Sequence, residues 1–340
     1  EAGKMLLNAY YPGSAARDDS GEMIGSDDFV STPAGFCIEP AQTCPAGDSS
    51  CPVFRQVGQS FSATFRPVAW RADGALCTAT STLNYRQAQI QVKPVVVAPS
   101  PSIGGVSGRL LQPGEGIYDH LPPGLPASWD GAVAQEVALS EVGVFRLRVE
   151  PPPYLGVAVP ISESAPLGRF IPHHLKVHFE GALDAGCGIF SYQEQPVGMA
   201  TSPALSITGY GLVGAAEYIT ANYDFDGFWG FDSSPVPAWL AAERDMDLGP
   251  RLAHGNGDPN ELIWLPIKEI SPTESGNKGG DGQRTYTWSA DWLRYTSAAQ
   301  PDADDHPFQV RLRFVAEELT DGDSESPSFD PDVLGEYVFT

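Results

Sequence analysis

Residues 143–149 read GVFRLRV, and their alternation of apolar and basic side chains predicts a β-strand. Successive side chains of a strand point to opposite faces of its sheet. Phe145, Leu147 and Val149 would therefore share one face, and the two arginines between them would share the other. An apolar face opposite a charged face is typical of a half-buried antiparallel strand.

The same alternation recurs along the chain, for example in FSATF at residues 61–65 and in FQVRLRF at residues 308–314. Clusters of Gly, Pro, Asp and Ser separate these runs, and the chain contains 36 Gly and 31 Pro. Short alternating runs between turn residues are typical of all-β proteins. We therefore predict tandem immunoglobulin-like, antiparallel β-sandwich domains with long loops, and one short helix near Pro237–Arg244.

A proline-rich joint at residues 151–168 divides the chain, because prolines and the residues before them favour extended backbone. The predicted organisation is an N-terminal strand and connector at 1–27, a cysteine-rich β-sandwich at 28–165, and a second β-sandwich at 166–318. Residues 319–340 are expected to be an acidic tail or the start of a further domain.

The chain is strongly acidic, with a formal net charge of −23 at pH 7. Binding to nucleic-acid phosphates needs clustered Lys and Arg, so no nucleic-acid partner is expected. No run approaches the eighteen or so apolar residues of a membrane helix, so no membrane insertion is expected in this segment. The acidity fits a solvated surface or binding of hard cations.

Four of the five cysteines, Cys37, Cys44, Cys51 and Cys77, lie in one loop-rich region, and Cys187 stands apart. Clustered cysteines in such a region indicate disulfides and an oxidising compartment. We expect Cys37 to pair with Cys77 and Cys44 with Cys51, although the spacing does not settle the pairing. Zinc is the alternative, but the chain lacks a C-x-x-C pair.

Three histidines, His173, His174 and His178, occur in the segment FIPHHLKVH. On a strand, His174 and His178 would stand about 13 Å apart, which one metal ion cannot bridge. The adjacent His173 and His174 are expected to point to opposite faces. The prediction is a polar strand edge rather than a metal site.

Acidic loops are candidates for calcium, which binds carboxylate and carbonyl oxygens on irregular segments. Solvated acidic turns are the alternative. The candidate calcium ligands are Asp224, Asp226, Asp258, Asp302, Asp304, Asp321 and Asp323.

Aromatic residues near position 229 are candidates for stacking on sugar rings, namely Phe228, Trp229 and Phe231. The alternative is that they belong to the core, as aromatic side chains of β-sandwiches usually do. Hydrolase, phosphate-loop and dinucleotide-binding motifs are absent from the sequence, so an enzyme is not expected.

Several segments carry a family resemblance, above all EVGVFRL at residues 141–147 and the pattern G-R-F-x-P-x-H at residues 168–174. In order along the chain, they resemble the domain of unknown function in MshQ proteins. These proteins are encoded with the mannose-sensitive haemagglutinin (MSHA) type of bacterial type IV pilus. In that family the position of His174 is His and that of His173 is often Asp, which implies a structural role for His174.

The resemblance implies a secreted surface protein of a Gram-negative bacterium, located at the cell surface or on a pilus, without established catalytic residues. The expected function is adhesion or pilus assembly, with pilus or other filament subunits as partners. Two alternatives stay open, namely a structural stalk that spaces other domains and a carbohydrate-binding module for surface glycans. No cofactor is expected beyond possible calcium.

Overall fold

A computed structural model describes most of the first 230 residues and selected strands beyond them. The described residues are 1–17, 21–112, 116–117, 131–184, 187–188, 190, 192, 195, 197–230, 240–244, 252–254, 267–270, 279–288, 292–295, 308–314, 321–323 and 333–339. Their secondary structure consists of antiparallel strands and three single-turn 3₁₀ helices, with no α-helix among them. The predicted all-β class is confirmed, whereas the immunoglobulin-like strand order stays a prediction. Within the described part of the chain, no helix is long and apolar enough to cross a membrane.

The chain forms two compact units. Unit 1 consists of Glu1–Ala98, Ser107–Ser140 and Val144–Arg169. Unit 2 consists of Pro99–Val106, Glu141–Gly143 and Phe170–Thr340. Two short segments from the middle of the predicted first domain therefore belong to unit 2, which a linear division of the sequence does not reveal.

Unit 1 holds a two-stranded hairpin and two five-stranded sheets, ordered β3-β5-β9-β7-β8 and β11-β10-β12-β4, with β6 paired to β10 in the second. Its strands are β1 (Gly3–Tyr11), β2 (Met23–Ser31), β3 (Gly35–Pro40), β4 (Arg55–Gln56), β5 (Phe61–Val68), β6 (Gln91–Ala98), β7 (Leu110–Gln112), β8 (Gly116–Ile117), β9 (Val133–Leu139), β10 (Gly143–Glu150), β11 (Ser162–Glu163) and β12 (Leu167–Ile171). Strand β12 runs across the boundary between the units.

The alternation in the sequence matches burial in the structure. Phe145, Leu147 and Val149 of β10 are fully buried, and the arginines between them are half-buried. Phe61 and Phe65 of β5 are buried in the same way. Removing these apolar side chains from water supplies much of the free energy that stabilises unit 1.

The hairpin of β1 and β2 differs from the rest of unit 1, because most of its apolar side chains are exposed. Leu6, Tyr10 and Ile24 expose 66%, 61% and 80% of their surface, respectively. The backbone N–H of Ala2 donates a hydrogen bond of 2.7 Å to Oδ1 of Asn84, which attaches the base of the hairpin to unit 1.

Unit 2 is built around a seventeen-residue strand, β14, that pairs with four other strands. These partners belong to a seven-stranded sheet, and a separate three-stranded sheet has the order β16-β21-β22. The strands are β13 (His174–Asp184), β14 (Val197–Val213), β15 (Ala216–Ile219), β16 (Leu240–Arg244), β17 (Leu252–His254), β18 (Ile267–Ile270), β19 (Gln283–Trp288), β20 (Trp292–Tyr295), β21 (Phe308–Phe314) and β22 (Val333–Phe339).

Two segments of unit 2 differ from the sequence-based expectation. Leu240–Arg244, predicted to be helical, forms β16 and pairs with β21, because strand pairing outweighs the helix propensity of Ala, Leu and Glu. Val333–Phe339, assigned to an acidic tail or a further domain, pairs with β21 as β22. It forms an edge strand of the three-stranded sheet.

Unit 1 contains two disulfides, with the pairing expected from the sequence, and the first joins strand β3 to the 3₁₀ helix Leu76–Thr78. Cys37 pairs with Cys77, 40 residues away, and Cys44 pairs with Cys51, 7 residues away. Cys37 packs against Val68 in the core, whereas Cys77 is exposed. Each bond shortens the loops available to the unfolded chain, and the longer loop gains more from closure.

We predict unequal losses of stability when the disulfides are removed separately. Replacing Cys37 and Cys77 with Ala should lower the free energy of unfolding by about 4 kcal/mol, because a long loop is released. Replacing Cys44 and Cys51 with Ala should lower it by about 2.5 kcal/mol, because that loop is short. Urea unfolding of both double variants gives the comparison, and a larger loss for Cys44 and Cys51 would contradict loop closure as the main effect.

Candidate functional site

The segment Asn222–Gly230, reading NYDFDGFWG, contains candidates for both calcium binding and sugar stacking, and we call it the 222–230 loop. It follows β15 as a series of tight turns, with backbone hydrogen bonds from Tyr223 to Thr220 and from Phe228 to Phe225. Glycine at position 209 of β14 permits close packing, since a Cβ there would lie 2.6 Å from Cδ1 of Tyr223.

A buried carboxylate, Glu141, holds the start of this loop. Its Oε1 accepts hydrogen bonds from the backbone N–H groups of Asn222 (3.0 Å) and Val142 (2.9 Å). Its Oε2 accepts from the N–H of Ala221 at 3.1 Å. The residue is only 5% exposed. Glu141 therefore satisfies backbone donors that would otherwise be buried without partners.

The side chain of Asn222 completes this network. Its amide nitrogen donates to the backbone oxygens of Val106 and Val142, each at 2.8 Å, and its Oδ1 accepts from the N–H of Val106 at 2.9 Å. Asn222 is fully buried. The 222–230 loop is thus tied to Pro99–Val106 and to Glu141–Gly143, the two distant segments that belong to unit 2.

Burial sets the protonation behaviour of Glu141. Loss of solvation raises the pKa of this carboxyl group to about 7, even though the three backbone N–H bonds favour the charged form. Sequence reasoning missed Glu141 and Asn222 as a pair. The available signal was an acidic residue placed immediately before an apolar strand, at the start of the EVGVFRL segment.

A second buried carboxyl group, Asp224, has an incomplete set of partners. Its Oδ1 accepts a hydrogen bond of 2.8 Å from the N–H of Gly280. Its Oδ2 is buried and makes no hydrogen bond within the described part of the chain. Burial, together with the nearby Asp281 carboxyl group, raises the pKa of Asp224 to about 6. Burial therefore disfavours the ionised form of Asp224, so this carboxyl group either takes up a proton or needs a cation beside it.

Arg284 donates hydrogen bonds to the backbone of Asp224 and to the side chain of Asp226. Its guanidinium donates to the backbone oxygen of Asp224 at 3.0 and 2.7 Å. It also donates to Oδ1 of Asp226 at 2.8 Å, and the Asp226 side chain is 80% exposed. The arginine joins the 222–230 loop to β19, because it lies next to Gln283 at the start of that strand.

The four candidate calcium ligands that the structure describes do not bring three ligand atoms together. Asp224 and Asp226 lie on the 222–230 loop, whereas Asp321 accepts a hydrogen bond of 3.3 Å from Tyr223 and of 3.1 Å from the N–H of Asp323. Asp258, Asp302 and Asp304 lie outside the described residues.

Only one group of three potential ligand atoms is found within the described ranges, and it consists of Cys37, Glu39 and Cys77. Two of those atoms are the sulfurs of a disulfide. They are therefore not available as thiolate ligands.

The structure corrects the sugar-stacking hypothesis for Phe228, which is buried and only 4% exposed, so its ring offers no face to a ligand. Trp229 is half-buried, with its ring 4.9 Å from that of Tyr223 and 5.0 Å from the Arg284 guanidinium. Phe231 lies outside the described residues.

A further cluster, the His173–Glu217 cluster, lies at the start of β13 and includes His174, Lys176 and Tyr210. His173 precedes the strand, and its Nδ1 lies 3.1 Å from Nδ1 of His174. The expectation that the two rings point apart is therefore wrong. Strand alternation does not apply to His173, because the strand begins one residue later.

We predict that replacing Asp224 with Asn stabilises unit 2 at neutral pH in the presence of a chelator. Asn keeps the acceptor for Gly280 and adds a donor toward Asp281, while it removes a buried charge. The stabilisation at pH 7.5 should be on the order of 2 kcal/mol. Urea unfolding of the D224N variant measures it, with D226N as the exposed control. A greater loss of stability in D224N than in D226N would contradict the prediction.

The same pKa values predict how the stability of the wild-type chain depends on pH. The folded-state pKa values of Glu141 and Asp224 lie above their ordinary values of 4.5 and 3.8, respectively. Their contribution is therefore fully present below about pH 4 and is lost as the pH rises through 6 and 7. The slope between pH 5 and 7.5 should be smaller in D224N, because one of the two groups no longer titrates.

Calcium binding by the acidic loops stays a proposal with a direct test. A bound ion stabilises the folded chain by mass action, so the melting temperature should be higher in millimolar calcium than in chelator. Magnesium at the same concentration controls for screening of the negative charge. Identical melting curves in calcium and in chelator would remove the proposal.

Comparisons with known proteins match this chain to two domain models of one family. The model described as DUF6701, third domain, matches residues 141–331, and the model described as DUF6701, second domain, matches residues 32–123. The third-domain match begins at Glu141, the buried carboxylate that holds the 222–230 loop. No curated protein matches the sequence.

Among solved structures, one match is titled as domains 5–6 of the S-layer protein SbsC. It is 8% identical, covers 89% of this chain and 98% of that chain, and has a TM-score of 0.16. A similarity at that level supports no argument about fold or function. The third-domain model spans more than half of the 340 residues, and on that basis the chain belongs to the DUF6701 family.

Proposed function

We propose that this chain is a non-enzymatic, extracellular module of a surface protein of a Gram-negative bacterium, and that it serves adhesion or assembly of a pilus. The observation that carries the extracellular assignment is the pair of disulfides in unit 1. Stable disulfides form and persist in oxidising compartments, such as the periplasm and the cell surface, and are rare in the cytosol.

The organisation of the units supports a mechanical role. In unit 2, β14 pairs with β13 from His174 to Asp184, so the two strands are joined by a long ladder of backbone hydrogen bonds. In unit 1, disulfides tie down the loops beside β3. A module that must keep its shape outside the cell benefits from such cross-links, because they disfavour the unfolded chain.

The pilus part of the proposal is supported by the resemblance of EVGVFRL and G-R-F-x-P-x-H to MshQ proteins of the MSHA pilus locus. Its partners would be subunits of the pilus or of another surface filament. The net charge of −23 favours solubility of an exposed module. A structural stalk is the second candidate, favoured by the division of the chain into two compact β-rich units.

A carbohydrate-binding module has less support. Of the three aromatic residues considered for stacking on sugars, Phe228 is buried in the loop and Trp229 packs against Tyr223 and Arg284. Stacking on a sugar needs an exposed aromatic face. The half-buried ring of Trp229 would have to leave these contacts to present one.

The first test is whether the polypeptide travels with surface filaments. Filaments are sheared from native cells, purified and analysed by mass spectrometry and immunogold labelling, with cells lacking the major pilin as the control. If the protein is an adhesin at the tip, the gold label should lie at filament ends. If it depends on the pilus, the polypeptide should be missing from the preparation made from the control cells.

Retention of the polypeptide at the outer membrane, with none on the filaments, would contradict the tip location and favour the stalk. Recovery in equal amounts from the control cells would contradict pilus association altogether. Recovery from the cytosol with reduced cysteines would overturn the extracellular assignment itself.

A further inference from the structure

The two neighbouring imidazoles of the His173–Glu217 cluster have the spacing of two ligands on one metal ion. Their Nδ1 atoms lie 3.1 Å apart, and the ring planes are nearly perpendicular, at 89°. Imidazole nitrogens bind zinc at about 2.0–2.1 Å, so two of them at angles of about 90–109° are separated by about 2.8–3.4 Å. A hydrogen bond between the rings gives the same distance.

The other nitrogen of the His174 ring faces the carboxylate of Glu217. Its Nε2 lies 3.0 Å from Oε1 of Glu217, and Oε2 of the same carboxylate contacts Lys176. The contact does not have hydrogen-bond geometry, but a carboxylate so close to Nε2 favours the tautomer with the proton on that nitrogen, and it leaves Nδ1 with a free electron pair. Glu217 therefore directs the Nδ1 electron pair of His174 toward His173.

Stacking on Tyr210 holds the orientation of the His174 ring. The Tyr210 ring stacks on the His174 ring with centroids 5.5 Å apart and an angle of 16° between planes. The Lys176 ammonium lies 4.9 Å from the centre of the Tyr210 ring. His174 is only 9% exposed, whereas His173 is more accessible. One ligand is thus held rigidly, and the other lies where an ion can enter.

We propose that His173 and His174 bind a divalent late transition-metal ion through their Nδ1 atoms, with Glu217 orienting His174. Imidazole ligands suit Cu²⁺, Ni²⁺ and Zn²⁺, and Cu²⁺ should bind most tightly in this series. Water would complete the coordination, since the described residues contribute two ligand nitrogens.

Such an ion would act on the sheet of unit 2. His174 begins β13, and its carboxylate partner Glu217 lies on β15, so the ion would strengthen the contact between strands on either side of Tyr210 in β14. An ion that binds only the folded chain raises its stability. This stabilisation is independent of whether the module serves adhesion, assembly or spacing.

The test is a titration of the full chain with Cu²⁺, followed by calorimetry and electron paramagnetic resonance in a weakly competing glycine buffer. The wild type should bind one Cu²⁺ with imidazole nitrogen hyperfine structure. Replacing His173 or His174 with Ala should weaken that binding at least tenfold. Replacing His178 with Ala, which removes an exposed imidazole from the same strand, should leave it unchanged.

The Glu217→Gln variant tests the orienting role separately. It keeps both ligand nitrogens but loses the carboxylate, so the affinity should fall about tenfold while the nitrogen signal persists, as is usual for such partners. Circular dichroism shows whether each variant folds. The His173→Ala variant removes the more accessible ligand and keeps the buried His174 ring in place.

Three outcomes would overturn the inference. They are equal Cu²⁺ affinity of wild type and the folded His173→Ala variant, a wild-type spectrum with oxygen ligands alone, and an equal loss of affinity in the His178→Ala control. The first would show that the short distance is a hydrogen bond between the rings, and the second that the acidic surface binds the ion.

Discussion

The hydrogen-bond ladder of β14 is the constraint on which the described part of unit 2 depends. This strand pairs with β13, β15, β19 and β20, so residues distant in sequence become neighbours across it. Tyr210 lies opposite His174 on one side and opposite Ile219 on the other. The same ladder brings Arg284 in β19 to the 222–230 loop. Each candidate site is therefore a consequence of register along one strand.

The buried polar groups of unit 2 differ in how fully they are satisfied, and that difference separates structure from possible function. Glu141 and Asn222 form a complete network with backbone groups, which is what a structural anchor requires. Asp224 keeps one oxygen buried without a hydrogen bond among the described residues. Burying a carboxylate oxygen without a hydrogen bond costs free energy. Such groups are typical of sites that bind a proton or a cation.

Unit 1 relies on a different source of stability. Its core contains Phe61, Phe65 and Phe145, and its irregular loops are restrained by disulfides rather than by buried carboxylates. The disulfides constrain the unfolded chain, whereas the network around Glu141 stabilises the folded one. A reducing environment would therefore weaken unit 1, and a change of pH would act mainly on unit 2.

The sequence by itself determined the all-β class, the faces of strands such as GVFRLRV, and the region of the disulfides, because these depend on local alternation and on residue chemistry. Tertiary structure decided the rest. Phe228 is core because the loop turns its ring inward, and Leu240–Arg244 is a strand because β21 is available to pair with it. His173 and His174 meet because a strand begins between them. Alternation predicts side-chain direction only within a strand, and the boundaries of strands depend on partners far away in the sequence.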